Sequence, residues 1–384
     1  MTEGPHSAVL ALLPLISSLR DETEAQRSIA ARVVEALRAS RLCRTALPAE
    51  LGGLQLPPAE TLSVYEQLAG AEASVAWIVW NNTLPCYFGR FFAPKVRCEI
   101  FGDPRSLYAG STRPSGRAAL EGGSYRVNGR WSLVSGCELA DWLALRCVIE
   151  ENGQPRMLAP EVPEVRMVWL RRAELEILDT WYTGGLRGTG SHDVVVRNAL
   201  VPRSHTLSPI DGSTLDGPLG RVPIVSTMAA GYGAQLLGLG QASVDTLTAL
   251  SRKKPVVDPG PALGERPVML AALAEHGVRL AAARSHLRDR VQRLWDAAVA
   301  GSAAPEAIAD VFNAAHHAMA QGRAAVTSMY SLAGASALYT SSPLERIHRD
   351  MHAMAAHVIA QPMWIEDTGR VLLGAKPVNP LYLI

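Results

Sequence analysis

The sequence predicts an α+β fold in three blocks: helices, then strands, then long helices. Apolar residues recur at helical spacing through the first hundred positions and again beyond residue 220. Between those stretches, short alternating segments are bounded by Gly, Asn-Gly and Pro. The two patterns are segregated, which is α+β and not a βαβ alternation. The chain has 384 residues, enough for two or three domains at roughly 150 residues each. The expected boundaries are a helical domain over 1–105, an all-β domain over 106–210 and a helical domain over 211–384.

The apolar run near the N-terminus lacks a basic flank and a small-residue cleavage site, so it reads as a first amphipathic helix. Glu22 to Ser40 repeats apolar residues at helical spacing, LPAELGGLQLPP breaks the chain, and a second helical stretch covers 59–82. In the middle block, Val127-Asn128-Gly129-Arg130 is the strongest short hairpin signal. Residues 222–244 carry no charge, and a run of about 20 apolar residues can cross a bilayer. Four glycines and several hydroxyl and amide side chains favour a buried helix there, packed closely against its neighbours or across subunits. Met269–Ala300, Ala304–Ala333 and Pro343–His357 complete the helices.

Composition removes several function classes. Aromatics are 6%, so the core is built of Ala, Leu and Val. A formal net charge of +1, from 37 basic against 36 acidic residues, lacks the basic excess of a nucleic-acid binder. Five cysteines without a C-x-x-C pair are neither a disulfide framework nor a zinc ribbon, and they point to a reducing cytoplasm. No P-loop, H-E-x-x-H or G-x-S-x-G motif occurs. The cluster Gly185–Gly190 lies between strands, so it is not a dinucleotide fingerprint. Glu345-x-x-His348 is the one E-x-x-H within a helix, where a di-iron site needs two. No metal site is expected; His348 and His352 read as solvated or interface residues.

Four stretches occur in order: LPAELGG (47–53), WSLVSGCELADW (131–142), DTWYTGGLRGTGSHDVVV (179–196) and PLERIHRDMHAMAAH (343–357). With them the chain resembles the acyl-CoA dehydrogenase superfamily over nearly its whole length. Within it, the chain is most similar to the flavin-dependent monooxygenases, the oxygenase halves of two-component aromatic hydroxylases. The resemblance implies an N-terminal helical domain, a middle β-barrel and a C-terminal four-helix bundle that builds a homotetramer. It also implies a flavin between the middle and C-terminal domains.

A dehydrogenase of this fold needs a carboxylate to remove a proton alpha to a thioester carbonyl. In many members that Glu lies nine residues after the Arg of an Arg-Asp pair, which is Val358 here, counted from Arg349. Another branch carries it on the first bundle helix, where an ungapped count reaches Met228. Both positions lack a carboxylate. His357 instead occupies the position of the hydroxylases' active-site histidine, with Asp350, Met354 and His357 expected on one helical face.

The resemblance places Ser135 beside flavin N5, where it would steady a C4a-hydroperoxide; Ser135-Gly136 also reads as a turn. It gives Trp131, Thr189, Ser191 and Arg349 to cofactor binding, with a tight turn and an Arg349–Asp350 ion pair as the structural alternatives. Trp77, Trp80, Asn81, Asn82, Tyr87 and Phe88 would wall an aromatic-accepting pocket, or else fill a helix core. SRKKP at 251–255 replaces the Arg and Phe-Gly by which dehydrogenases hold the neighbouring subunit's flavin, so FMN is as plausible as FAD.

The expected activity is hydroxylation of a phenolic or polyketide-like small molecule by reduced flavin (FMNH2 or FADH2) and dioxygen. Ser135 and His357 are the expected catalytic residues, and a separate reductase the expected supplier, with no nucleic-acid or membrane partner. Nitrogen or sulfur oxygenation, an acyl-CoA dehydrogenase or oxidase with a relocated base, and a flavin-free scaffold remain the alternatives.

Overall fold

The computed structural model describes residues 5–252 and 262–384. Six helices come first: α1 (Pro5–Ser18), α2 (Arg20–Gln26), α3 (Ala31–Ser40), α4 (Pro58–Ala71), α5 (Ala73–Phe88) and α6 (Pro94–Phe101). The strands are β1 (Tyr108–Glu121), β2 (Ser124–Val134), β3 (Trp142–Glu151), β4 (Gln154–Pro155), β5 (Met157–Ala159), β6 (Val162–Pro163), β7 (Val165–Arg171), β8 (Glu176–Leu178), β9 (His192–Pro202) and β10 (Thr206–Leu207). Five helices follow: α7 (Ile224–Ser251), α8 (Pro267–Ala300), α9 (Pro305–Ala333), α10 (Pro343–Ala355) and α11 (Met363–Leu372).

The main sheet runs β10-β7-β3-β1-β2-β9-β8, with β4 on β3. Its alternation divides two cores. Leu143, Leu145, Val168 and Leu170 turn into the sheet's own interior with Trp131. Their neighbours Trp142, Ala144, Met167 and Trp169 join the helical core instead.

The hairpin expected at 127–130 is not there. The β1–β2 turn lies at Gly122-Gly123, since Glu121 pairs Ser124. Asn128-Gly129 stays within β2, at a register shift against β9. A Cβ at Gly129 would come within 2.7 Å of both Gly116 Cα and the Trp131 ring. The glycine therefore admits the indole and does not make a turn.

The uncharged segment is α7, buried within the chain. Its glycines allow backbones to touch: a Cβ at Gly238 would meet the Glu66 carbonyl at 2.2 Å, and one at Gly233 the Ala315 carbonyl at 2.9 Å. The close packing is against α4 and α9 of the same chain. Among the described residues, no helix is long and apolar enough to cross a membrane.

Candidate active site

Helix α5 begins where the Glu72 carboxylate caps it, accepting from Ser74 N at 2.5 Å and Val75 N at 3.1 Å. One turn on, Trp77 reaches the strand block and its Nε1 donates to Ser135 Oγ at 2.9 Å. Ser135 lies just beyond β2. Its hydroxyl is 2.7 Å from Ser191 Oγ, and Ser191 Oγ is 2.7 Å from Thr189 Oγ1. Thr189 Oγ1 donates to the Leu186 carbonyl at 2.9 Å. All three hydroxyl residues are buried.

The loop holding Thr189 and Ser191 is tied to α10. Asp350 Oδ1 accepts from Leu186 N at 2.6 Å. A Cβ on Gly185 would meet the Arg349 carbonyl at 2.3 Å, so only glycine fits there. Asp350 is buried, and burial together with the Glu72 carboxylate holds its carboxyl well above the usual carboxylate range.

His357 follows the end of α10. Its ring stacks on Tyr232 (centroids 5.7 Å apart, 21° between planes) and meets Trp77 and Trp80 edge-on at 5.3 and 5.5 Å. Trp80 Nε1 donates to the Met228 carbonyl at 2.9 Å, and Tyr232 Oη to the Met354 carbonyl, which fixes this cage. Burial, helped by the Arg113 guanidinium, pushes the imidazole down to about 4. His357 is therefore neutral at physiological pH. Its Nδ1 accepts from Ile359 N at 3.2 Å, which assigns the ring proton to Nε2. Nε2 makes no hydrogen bond among the described residues.

Trp77 thus stands between Ser135 and His357, touching both. The expected one-face array of Asp350, Met354 and His357 does not form. The helix stops at Ala355, His357 takes an extended backbone, and its ring caps the next turn.

Several expected contacts fall elsewhere. Trp131 lies inside the sheet at 0% exposure, with Nε1 on the Arg146 carbonyl at 2.8 Å, and does not reach this junction. Arg349 is held by Glu24 (2.7 Å), Glu345 (2.5 Å) and the Gly184 carbonyl, so its guanidinium serves the fold; it does not pair with Asp350 as expected. Asn82 binds Tyr108 N at 2.6 Å and the Ile78 carbonyl at 2.9 Å, and Tyr87 is buried near Cys86 and Arg90, away from His357. Phe88 packs on Phe91. Asn81 is partly buried with its amide on the Trp77 carbonyl at 2.9 Å.

Sequence reasoning missed Tyr232, Arg113 and the Leu186 backbone. Arg113 sits at the β1 register break between Ser111 and Gly116, where Pro114 in a strand was the available signal. Lys253–Pro255 of the SRKKP stretch lie outside the described residues.

No carboxylate bonds to Trp77, Trp80, Tyr232 or His357 among the described residues. Met228 is buried beside Trp80, and Val358 is 49% exposed. A separate cavity of about 350 Å³ opens where α4 meets α5, lined by Arg20, Asp21, Glu72, Arg346 and Asp350. Its charges are compensated within the chain, as in the 2.6 Å Arg346–Asp21 pair, and neither Ser135 nor His357 lines it. Ser135 and His357 are instead brought together at the Trp77 junction. There a hydroxyl oxygen with a spare lone pair and an unbonded imidazole N–H flank aromatic walls. These are the groups a flavin ring edge and an oxygen-bearing aromatic would engage, so the residues fit a flavin.

Residues 230–362 match the family model for the acyl-CoA dehydrogenase C-terminal domain. Indole-3-acetate monooxygenase of Pseudomonas putida is 28% identical, over 96% of this chain and 94% of its own. The flavin-dependent monooxygenase oxygenase subunit HsaA of Mycobacterium tuberculosis is 27% identical over 93% and 91%. A crystal structure of that HsaA superposes with a TM-score of 0.87, 26% identity and 98% coverage of both chains. XiaF from Streptomyces sp., solved with FADH2 and glycerol, gives a TM-score of 0.90 at 24% identity over 98% and 96%. Over nearly its whole length the chain is similar to flavin-dependent monooxygenase oxygenase components, and its C-terminal part matches the acyl-CoA dehydrogenase family model.

Proposed function

We propose that this chain is the oxygenase component of a two-component aromatic hydroxylase. It receives reduced flavin from a separate reductase and works as a homotetramer in the cytoplasm. The observation that carries the site assignment is the Trp77 junction. It joins a hydroxyl relay to a neutral imidazole, with no carboxylate bonded to its aromatic cage among the described residues.

Bound dihydroflavin supplies the two electrons with which dioxygen gives one atom to the substrate and one to water. Ser135 holds the ring edge, and Thr189 and Ser191 hold Ser135. The indole of Trp80 and the ring of Tyr232, both buried, pack on the His357 imidazole and hold it in place. His357, protonated at Nε2, acts as a hydrogen-bond donor to a developing oxygen charge. The Ile359 N–H on Nδ1 favours this polarising role over removal of a phenol proton, which needs an unprotonated Nε2. Val268, Leu270, Val278 and Val299 on α8 are each more than half exposed and supply apolar surface for other copies.

The test is anaerobic titration with FMNH2 and FADH2, then oxygen and a panel of phenols and indoles. A hydroxylated product is expected, with Ser135→Ala weakening reduced-flavin binding and His357→Ala lowering product yield. Bleaching of bound oxidised flavin by an acyl-CoA without oxygen would overturn the assignment.

A further inference from the structure

The hydroxyls of Ser135, Ser191 and Thr189 form a chain whose direction is fixed at its Leu186 end. The Trp77 indole is donor only, so Ser135 Oγ accepts from it at 2.9 Å. The Leu186 carbonyl is acceptor only, so the Thr189 proton is spent on it at 2.9 Å. Each hydroxyl has one proton. Thr189 must then accept from Ser191, and Ser191 must accept from Ser135, across the two 2.7 Å contacts. Every proton points away from Trp77. Ser135 Oγ is left with one free lone pair and no proton to give.

We propose that this directed relay makes the site discriminate between flavin redox states, with Thr189 and Ser191 as the positioning residues that set the discrimination. The inference rests on the reading that Ser135 faces flavin N5. Dihydroflavin carries N5–H, a donor that matches the free lone pair. Oxidised flavin presents N5 as an acceptor, so two lone pairs face each other. To serve oxidised flavin the relay must reverse, with Thr189 donating to Ser191 and Ser191 to Ser135. Reversal keeps both inner bonds and loses one, Thr189 to Leu186. The Leu186 carbonyl still accepts from Thr189 N and Trp181 Nε1, both at 3.1 Å, so nothing there is stranded. One hydrogen bond therefore separates the two redox states, about fivefold in affinity.

The experiment measures dissociation constants of oxidised and dithionite-reduced FMN and FAD under anaerobic conditions, and the midpoint potential of the bound flavin. Thr189→Val removes the acceptor that commits the Ser191 proton and lets the relay reverse without loss. Oxidised flavin should bind about fivefold more tightly relative to reduced flavin. For two electrons this is a potential lowered by about 20 mV. Ser191→Ala frees the Ser135 proton directly and should move the ratio the same way, so the test survives if one variant fails to fold.

A gain in oxidised-flavin affinity is a readout that mere loosening of the loop does not produce. If Ser135→Ala shifts the ratio while Thr189→Val and Ser191→Ala leave it within twofold of the parent, the relay is refuted and the Ser135 reading stands. If none of the three shifts it, Ser135 does not face N5 and both fall.

Discussion

Acidification tests the state of His357 without reference to any ligand. Its pKa is lowered from an ordinary 6.5 to about 4, first by burial and second by Arg113. The unfolded chain then binds a proton that the native state refuses between those values. Native stability contributed at this position is intact above pH 6.5 and is lost as pH falls toward 4. Within that window the slope approaches about 1.4 kcal/mol per pH unit. At about pH 4.5, discounting for the ring's partial exposure, the loss is on the order of 2 kcal/mol. His357→Gln removes the titration. The stability gap between parent and variant should therefore move by about 2 kcal/mol in the variant's favour between about pH 7 and 4.5, read from paired urea denaturation curves. Nitrogen-15 spectra of labelled histidine should show the Nε2–H tautomer. A gap that does not move, with an imidazole titrating near 6.5 or protonated at Nδ1, refutes the reasoning.

Gly185→Ala places a methyl 2.3 Å from the Arg349 carbonyl. It should cost about 2 kcal/mol of stability and weaken reduced-flavin binding, measured by thermal shift and anaerobic titration. Asp350→Asn keeps an acceptor for Leu186 N while removing a charge that burial and Glu72 disfavour. A raised carboxyl pKa means the folded state holds a proton the unfolded chain has lost, so stability falls as pH rises above the ordinary 3.8. The variant should flatten that fall in denaturation curves taken from about pH 5 to 8. Gly116→Ala drives a methyl to 1.9 Å from the Trp131 ring, and should lower the melting temperature through loss of the sheet interior.

The order of helical and stranded blocks was legible because each block has a sustained period. Individual side chains inside a block were less so. Trp131 and Ser135 share a face by strand parity, and both were expected at the cofactor. Leu133, however, adopts φ +61° and is exposed, while Trp131 and Val134 both point into the sheet. The alternation slips at that bulge, which separates the two residues. Helix α5 is buried at all but Asn81 and Leu84, so no amphipathic pattern distinguishes Trp77 and Trp80, which meet His357, from Tyr87 and Asn82, which do not. The hydroxyls of Ser135, Thr189 and Ser191 stood out in their motifs. Their order as a relay depends on distances between segments 56 residues apart, which no local pattern encodes.

The most direct test is a single turnover of the prereduced protein–flavin complex with ¹⁸O₂ and an aromatic substrate such as indole-3-acetate or a phenol, analysed by mass spectrometry. One atom of ¹⁸O in the aromatic product is predicted, formed without any acyl-CoA. Hydrogen peroxide as the sole oxygen product across the whole aromatic panel, together with flavin reduction by a thioester, would contradict the account.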